Sequence, residues 1–273
     1  MPIEVMLLDE VRFDDSVFDT YKDWIFQEKQ NGTRVLLHIK DGKASAIQHR
    51  AGNPMLHLFP EIQALKFPDE LAILDGEIVV FDDKQKSVFY GGINQRDKKL
   101  HTQNIKKFPV CFVAFDIIYH KGEVVINKPY AKRYALLKHY SQYSCDNFKV
   151  VENVENPREY WANKIDKENR EGFVIKNPKG LYESGTRSKN NLKLKNYKIV
   201  DVKVFKTETN PKGIKIYGTG TYKGEVVETE CQFSGNNMVV NVGDILPVEF
   251  LDIINGKLVQ PHKIIGWKNG EVV

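Results

Sequence analysis

Residues 26–34 read Phe26-Gln27-Glu28-Lys29-Gln30-Asn31-Gly32-Thr33-Arg34, and the fold expected for the chain follows from how this stretch is read. Apolar Trp24-Ile25-Phe26 leads in as a strand. Asn31-Gly32 supplies a tight-turn dipeptide, and Arg34-Val35-Leu36-Leu37-His38-Ile39 resumes extended structure. Side chains alternate along a strand, so Lys29 and Asn31 are expected to face the same way. They stand beside a glycine, where a ligand can approach the backbone. A lysine in such a place is by default a solvated hairpin end, so its meaning depends on what stands elsewhere in the chain.

Outward from this stretch, residues 33–50 read as two strands around Asp41-Gly42, ending in Gln48-His49-Arg50-Ala51-Gly52, with a short helix over 56–65. Ala72 to Phe81 is an apolar strand interrupted by Asp75-Gly76-Glu77. Charge inside such a strand is costly unless it is paired or functional, which makes Glu77 a candidate site residue. Residues 108–119 form a near-continuous apolar strand with one carboxylate, Asp116, as buried strands do. Asp116 reads equally as a sheet anchor or a metal ligand. Helices are expected at 130–143, with Tyr130, Tyr134 and Leu137 as core, and at 158–169 after Pro157. Glu171-Gly172-Phe173-Val174-Ile175-Lys176 is a strand with an acid first and a lysine last. Leu192-Lys193-Leu194-Lys195 alternates, with both lysines on one face.

From Ile199 the character changes. Five short strand-like runs (about 199–208, 214–222, 225–234, 245–254 and 257–265) are separated by turn dipeptides such as Lys223-Gly224 and Asn255-Gly256. Five strands in so short a span fit a small OB-type barrel, a fold that commonly binds nucleic acid. The expected fold class is α+β, with two domains, 1–198 and 199–273. A length of 273 residues agrees with about two domains. Hydrophobic content of 41% with 15 Phe and 12 Tyr suffices for packed cores and excludes a disordered composition.

No apolar run approaches the roughly 20 residues that cross a bilayer, and the N-terminus lacks the basic start and apolar core of a signal peptide. Three scattered cysteines suit a reducing compartment. An intracellular, cytoplasmic protein is expected. The net charge of +4 is uneven: residues 200–273 hold 8 Lys/Arg and 9 Asp/Glu, leaving the first part basic. Seven Lys/Arg against one acid between Lys176 and Lys198 read either as a solvated face or as a phosphate-binding surface.

In order, EKQNGTR, HRAG, LDGEIV, FVAFDIIY, EGFVIK and LKLKNY, followed by a barrel, resemble the ATP-dependent DNA ligases of minimal two-domain form within the covalent nucleotidyltransferases. No one of these motifs is specific, but six in register over nearly the whole chain are. The resemblance implies an adenylation (nucleotidyltransferase) domain of antiparallel sheets with flanking helices, then an OB-fold. It implies a monomer sealing nicks in duplex DNA with ATP and Mg²⁺, or Mn²⁺. Lys29 would become lysyl-AMP, then pass AMP to a 5′-phosphate for displacement by a 3′-hydroxyl. Deprotonating a lysine at pH 7 costs about 4.6 kcal/mol, so the nucleophile is expected in a basic pocket.

On that resemblance Lys193 and Lys195 would meet the α-phosphate, and Glu77 and Glu171 the ribose and the metal. Phe115 would stack on adenine, with Phe173 or Ile175 on its other face. Gln27 would contact the adenine edge, with Glu28 beside it in the nucleotide site. Arg34, Arg50 and Arg187 would contact ribose or nick phosphate, with Lys176 a weaker phosphate contact. One departure stands out: the family pattern is K-x-D-G, and the third position here is Asn31, which keeps the shape without the charge. Two other readings stay open on these residues: an RNA ligase, and a nick-binding protein with a weakened site.

Overall fold

The computed structural model describes residues 4–49, 52–68, 70–88, 105–233 and 239–261, with the backbone of short strands beyond. The chain divides into two compact units, Met1–Leu194 and Lys195–Val273. The break comes four residues before the expected boundary, because the alternating strand around Leu194 is shared: Leu194 packs in the first unit's core, and Lys195 bonds Gln260 at 3.0 Å in the second.

The first unit is built on two sheets. One orders β1 (Leu7–Val11), β11 (Arg187–Lys195), β10 (Gly172–Lys176) and β2 (Ile25–Glu28). The other runs β4 (Lys43–His49), β3 (Thr33–Lys40), β5 (Ala72–Phe81), β7 (Cys111–His120) and β8 (Glu123–Val124), with β6 (Ser87–Val88) on β5 and β9 (Phe148–Val150) on β7. Pairing is mostly antiparallel, but β1 with β11 and β7 with β9 are parallel.

Thus β2 and β3 belong to different sheets, and Asn31-Gly32 is no hairpin turn. Gly32 keeps an ordinary negative-φ backbone and is needed for another reason: a Cβ there would lie 2.1 Å from the Ile78 carbonyl oxygen. Residues 29–32 are thereby a crossing between sheets, pressed against β5. The second sheet buries Val35, Leu37, Leu74, Ile78, Phe112 and Ile117 against the helix Tyr130–Lys138. Asp116 proves to be an anchor: fully buried Arg133 of that helix grips it at 2.8 and 3.0 Å. Behind the first sheet, Phe26, Phe173, Ile175, Leu192 and Leu194 pack on Trp161.

The expected helices are shorter. Residues 56–65 split into a 3₁₀ turn, Leu56–Leu58, and Pro60–Gln63, since proline starts a helix and cannot continue one. The expected helix at 158–169 is one α turn, Pro157–Tyr160, widening into a π-helix, Trp161–Asp166.

The second unit is built on a seven-stranded sheet, in the order β16 (Asp252–Ile254), β17 (Lys257–Val259), β14 (Glu225–Phe233), β13 (Gly213–Tyr222), β12 (Lys198–Asn210), β15 (Ile245–Phe250) and β18 (Lys263–Ile264), with a separate two-stranded pair, β19 (Trp267–Lys268) and β20 (Glu271–Val272). Alternate residues Val200, Val202 and Val204 of β12 and Val227, Cys231 and Phe233 of β14 turn inward to a core drawn from residues 200–258.

Candidate active site

Lys29 stands one residue beyond β2. Its amide donates to the Gly172 carbonyl at 2.8 Å, fastening it to the start of β10, and its Nζ meets Glu171 Oε1 at 2.8 Å. Glu77 of β5 faces the same amine from the other sheet and accepts from the Gly32 amide. Burial pushes the Lys29 amine down, but Glu171 and Glu77 push it up further, and the net result lies above an ordinary lysine. The expected basic pocket is therefore corrected: the amine is held as an ammonium by two carboxylates. Burial drives Glu77 up to about 7; Lys29 opposes this and Glu171 adds to it.

Around this pair lies a cavity of about 240 Å³ between the two sheets, lined by Gln27, Lys29, Arg34, Glu77, Phe115 and Lys193, together with Glu28, Val174, Lys176, Arg187 and Asn191. Arg34 clamps fully buried Asp75 through Nε at 3.0 Å and Nη2 at 2.7 Å, and its guanidinium lies 5.3 Å from the Phe115 ring centre. Asp75 also accepts from Tyr182 Oη at 2.7 Å. Lys193 pairs with Glu10 at 2.9 Å. Arg187 bonds the Leu8 carbonyl. Lys176 is almost wholly buried, donates to the Phe115 carbonyl at 2.8 Å, and is lowered to about 8 by burial. Its ammonium lies 4.1 Å from the Tyr130 ring centre.

Several expectations need correction. Phe173 and Ile175 do not face the cavity; both have no exposed surface and pack behind the sheet, while Val174 lines the cavity. Alternation counted from Glu171 fails because Gly172 has φ +132°, a backbone that turns the chain between the acid and the strand. Asn31 is not among the cavity residues: its backbone N–H donates to Ser87 Oγ at 3.0 Å, and outside a strand the shared face with Lys29 does not hold. The Glu28 carboxylate is taken by Arg170 at 2.9 Å and by Tyr160 Oη at 2.5 Å. Lys195 shares a face with Lys193 but is not a cavity residue. Arg50 lies outside the described residues.

Asp75, Tyr182 and Asn191 were not foreseen. Asp75 carried the same signal as Glu77, an acid two residues away in one apolar strand; Tyr182 and Asn191 lie in a stretch with no pattern that marks them.

The amine of Lys29, the ring of Phe115 and the cations Arg34, Arg187 and Lys193 line one cavity, which suits a ligand flat at one end and anionic at the other. With these two facing sheets and a separate barrel, that defines a nucleotidyltransferase. Residues 6–195 match the family described as the ATP dependent DNA ligase domain, and the chain belongs to the ATP-dependent DNA ligases, enzymes that form phosphodiester bonds in DNA. It is 28% identical over 204 residues to the SPbeta prophage-derived DNA ligase-like protein LigB of Bacillus subtilis, covering 74% of this chain and 73% of that protein. DNA ligase 1 of Methanosarcina mazei is 32% identical over 179 residues, 59% of this chain but 31% of that protein. Against several such relatives the chain spans only about a quarter to a third of their length. The ligase domain of LigD from M. tuberculosis shares the fold at a TM-score of 0.60 and 19% identity, over 99% of this chain and 98% of that one. A structure of the Lig E DNA ligases does so at 0.65 and 17%, over 97% and 100%.

Proposed function

We propose that this chain seals 5′-phosphate/3′-hydroxyl nicks in duplex DNA through lysyl-AMP on Lys29. The observation that carries this is Lys29 Nζ at 2.8 Å from Glu171, with Phe115, Gln27 and Lys193 lining one cavity around them. Nζ, after yielding a proton, attacks the α-phosphate of ATP; a P–N bond forms and pyrophosphate leaves. The AMP is then passed to the 5′-phosphate, freeing Lys29, and the 3′-hydroxyl displaces AMP to close the strand.

Glu171 Oε1, already hydrogen-bonded to Nζ, orients the amine, and its charge holds the proton until the ligand's phosphates and the cations share the site. Lys193 and Arg187 offset charge on the phosphates. Arg34, locked on Asp75, backs the Phe115 wall on which the base stacks. Glu77 and Glu171 fit a Mg²⁺: Glu171 Oε2 is buried with no hydrogen-bond partner among the described residues, and Glu77 is raised chiefly by burial and further by its carboxylate neighbour. Bound there, the ion would supply charge neutralisation at the reacting phosphate.

A monomer in a reducing, intracellular compartment suits this reading, as do three free cysteines. No helix among the described residues is long and apolar enough to cross a membrane. Intact mass after incubation with ATP and Mg²⁺, followed by a chase with nicked duplex DNA, tests the proposal. One AMP is gained, Lys29→Ala abolishes it, and the nick closes. AMP gained without closure would locate the defect at the later steps, where Asn31 lacks the family's charge; no AMP on protein stripped with pyrophosphate defeats the reading.

A further inference from the structure

One buried guanidinium ties together the segments that bring Lys29, Glu171 and Glu77 to one place. Arg170 is 7% exposed. Its Nη1 donates to both oxygens of the Glu28 carboxylate at 2.9 Å and to the Gln85 carbonyl at 3.4 Å. Its Nη2 donates to the Lys84 carbonyl at 3.1 Å and to Glu168 Oε2 at 2.7 Å, and Nε donates to the same Glu168 oxygen at 2.9 Å. Tyr160 Oη completes the hold on Glu28 at 2.5 Å.

The partners matter for where they stand in the chain. Glu28 ends β2 and directly precedes Lys29, while Arg170 directly precedes Glu171. Two consecutive charge pairs therefore join the same two segments: Glu28 with Arg170, and Lys29 with Glu171. Lys84 and Gln85 lie in the turn that follows β5, the strand of Glu77. Tyr160 stands just before the π-helix Trp161–Asp166 and Arg170 just after it, with the Arg170 amide on the Ile165 carbonyl at 2.9 Å, so the wide turn delivers both to Glu28. Held this way, the Glu28 charge is met by Arg170 instead of by the neighbouring Lys29. A buried ion pair is a weak source of stability, because desolvation offsets much of the attraction. Its use here is geometric, since a planar fork fixes directions that a point charge does not.

We propose that Arg170 is a positioning residue for lysyl-AMP formation. By fastening Glu28 and the turn after β5 to the residue before Glu171, it sets the Lys29 amine where it attacks the α-phosphate. This rests on the proposed reading of Lys29 as the nucleophile.

The test follows single-turnover lysyl-AMP formation by intact mass over a range of ATP concentrations, alongside thermal melting. In Arg170→Met the maximal rate falls about tenfold or more, while the half-saturating ATP concentration stays within about threefold, because alignment is lost and ATP binding is not. Arg170→Lys, which keeps the charge without the fork, falls alike. The single methionine variant leaves Glu28 buried and unpaired and melts lower; Arg170→Met with Glu28→Met removes both charges and regains the melting temperature, but not the rate. A purely structural ion pair gives the opposite: the double variant recovers rate and melting temperature together, and that result overturns the inference. A half-saturating concentration that rises while the maximal rate holds overturns it as well. Should the methionine variants not fold, Glu28→Gln, which removes only the charge, takes their place, and a wild-type maximal rate there is equally fatal. Wild-type protein that gains no AMP instead sinks the reading of Lys29, and the inference with it.

Discussion

At the residue scale, the site is governed by two carboxylates that share one lysine. Glu77 reaches about 7 because burial opposes its charge, against an ordinary value near 4.5, so the folded state holds its proton more tightly than the unfolded chain. For a group shifted this way, the contribution to stability is complete below the unfolded value and is lost as the pH climbs through about 7. Glu77→Gln cannot titrate. Its melting temperature is therefore expected to gain on the wild type between pH 5 and pH 8, with Lys29 still paired to Glu171 in both. Thermal scans at the two pH values measure this, and an equal difference at both would refute it. Asp75 and Asp116 show the contrasting solution: each is gripped by an arginine through two hydrogen bonds and serves as structure.

At the element scale, the crossing at residues 29–32 joins the two sheets and carries the nucleophile. Its tightest point is Gly32, where a Cβ would meet the Ile78 oxygen at 2.1 Å and Val79 Cγ1 at 2.9 Å. Backbone cannot swing aside as a flexible side chain does, so Gly32→Ala must separate β3 from β5. A loss of about 3 kcal/mol or more is expected, read by denaturant unfolding, together with loss of lysyl-AMP formation. A variant as stable as the wild type would show that the crossing has room. The register of β10 matters in the same way. Gly172 resets the chain, so Glu171 meets Lys29 while Phe173 and Ile175 join the core.

At the scale of the whole molecule, residues 195–273 hold a core of their own, from Val200 to Leu258, on the seven-stranded sheet. A fragment 195–273 is expected to keep its strand content by circular dichroism and to melt in one cooperative transition. A gradual, non-cooperative melt would mean that this unit depends on the first. The residues that line the cavity all belong to the first unit, while sealing a nick is proposed for the two units together.

What could be read in the sequence were features carried by local period and by cost: apolar strands, the ten-residue rhythm of the barrel, the acids stranded in LDGEIV, and a lysine beside an obligatory glycine. Those signals are local because side-chain alternation and burial penalties act within one strand. Only the tertiary structure decided that β2 and β3 lie in separate sheets, that Val174 rather than Phe173 lines the cavity, and that Arg170 and Tyr160 hold the Glu28 carboxylate. Each depends on contacts between residues far apart in the chain, and on one glycine backbone angle that changes the count of alternation. The charge state of Lys29 was of the same kind: it rests on Glu77 and Glu171, 48 and 142 positions away, brought within reach only when the two sheets close on each other.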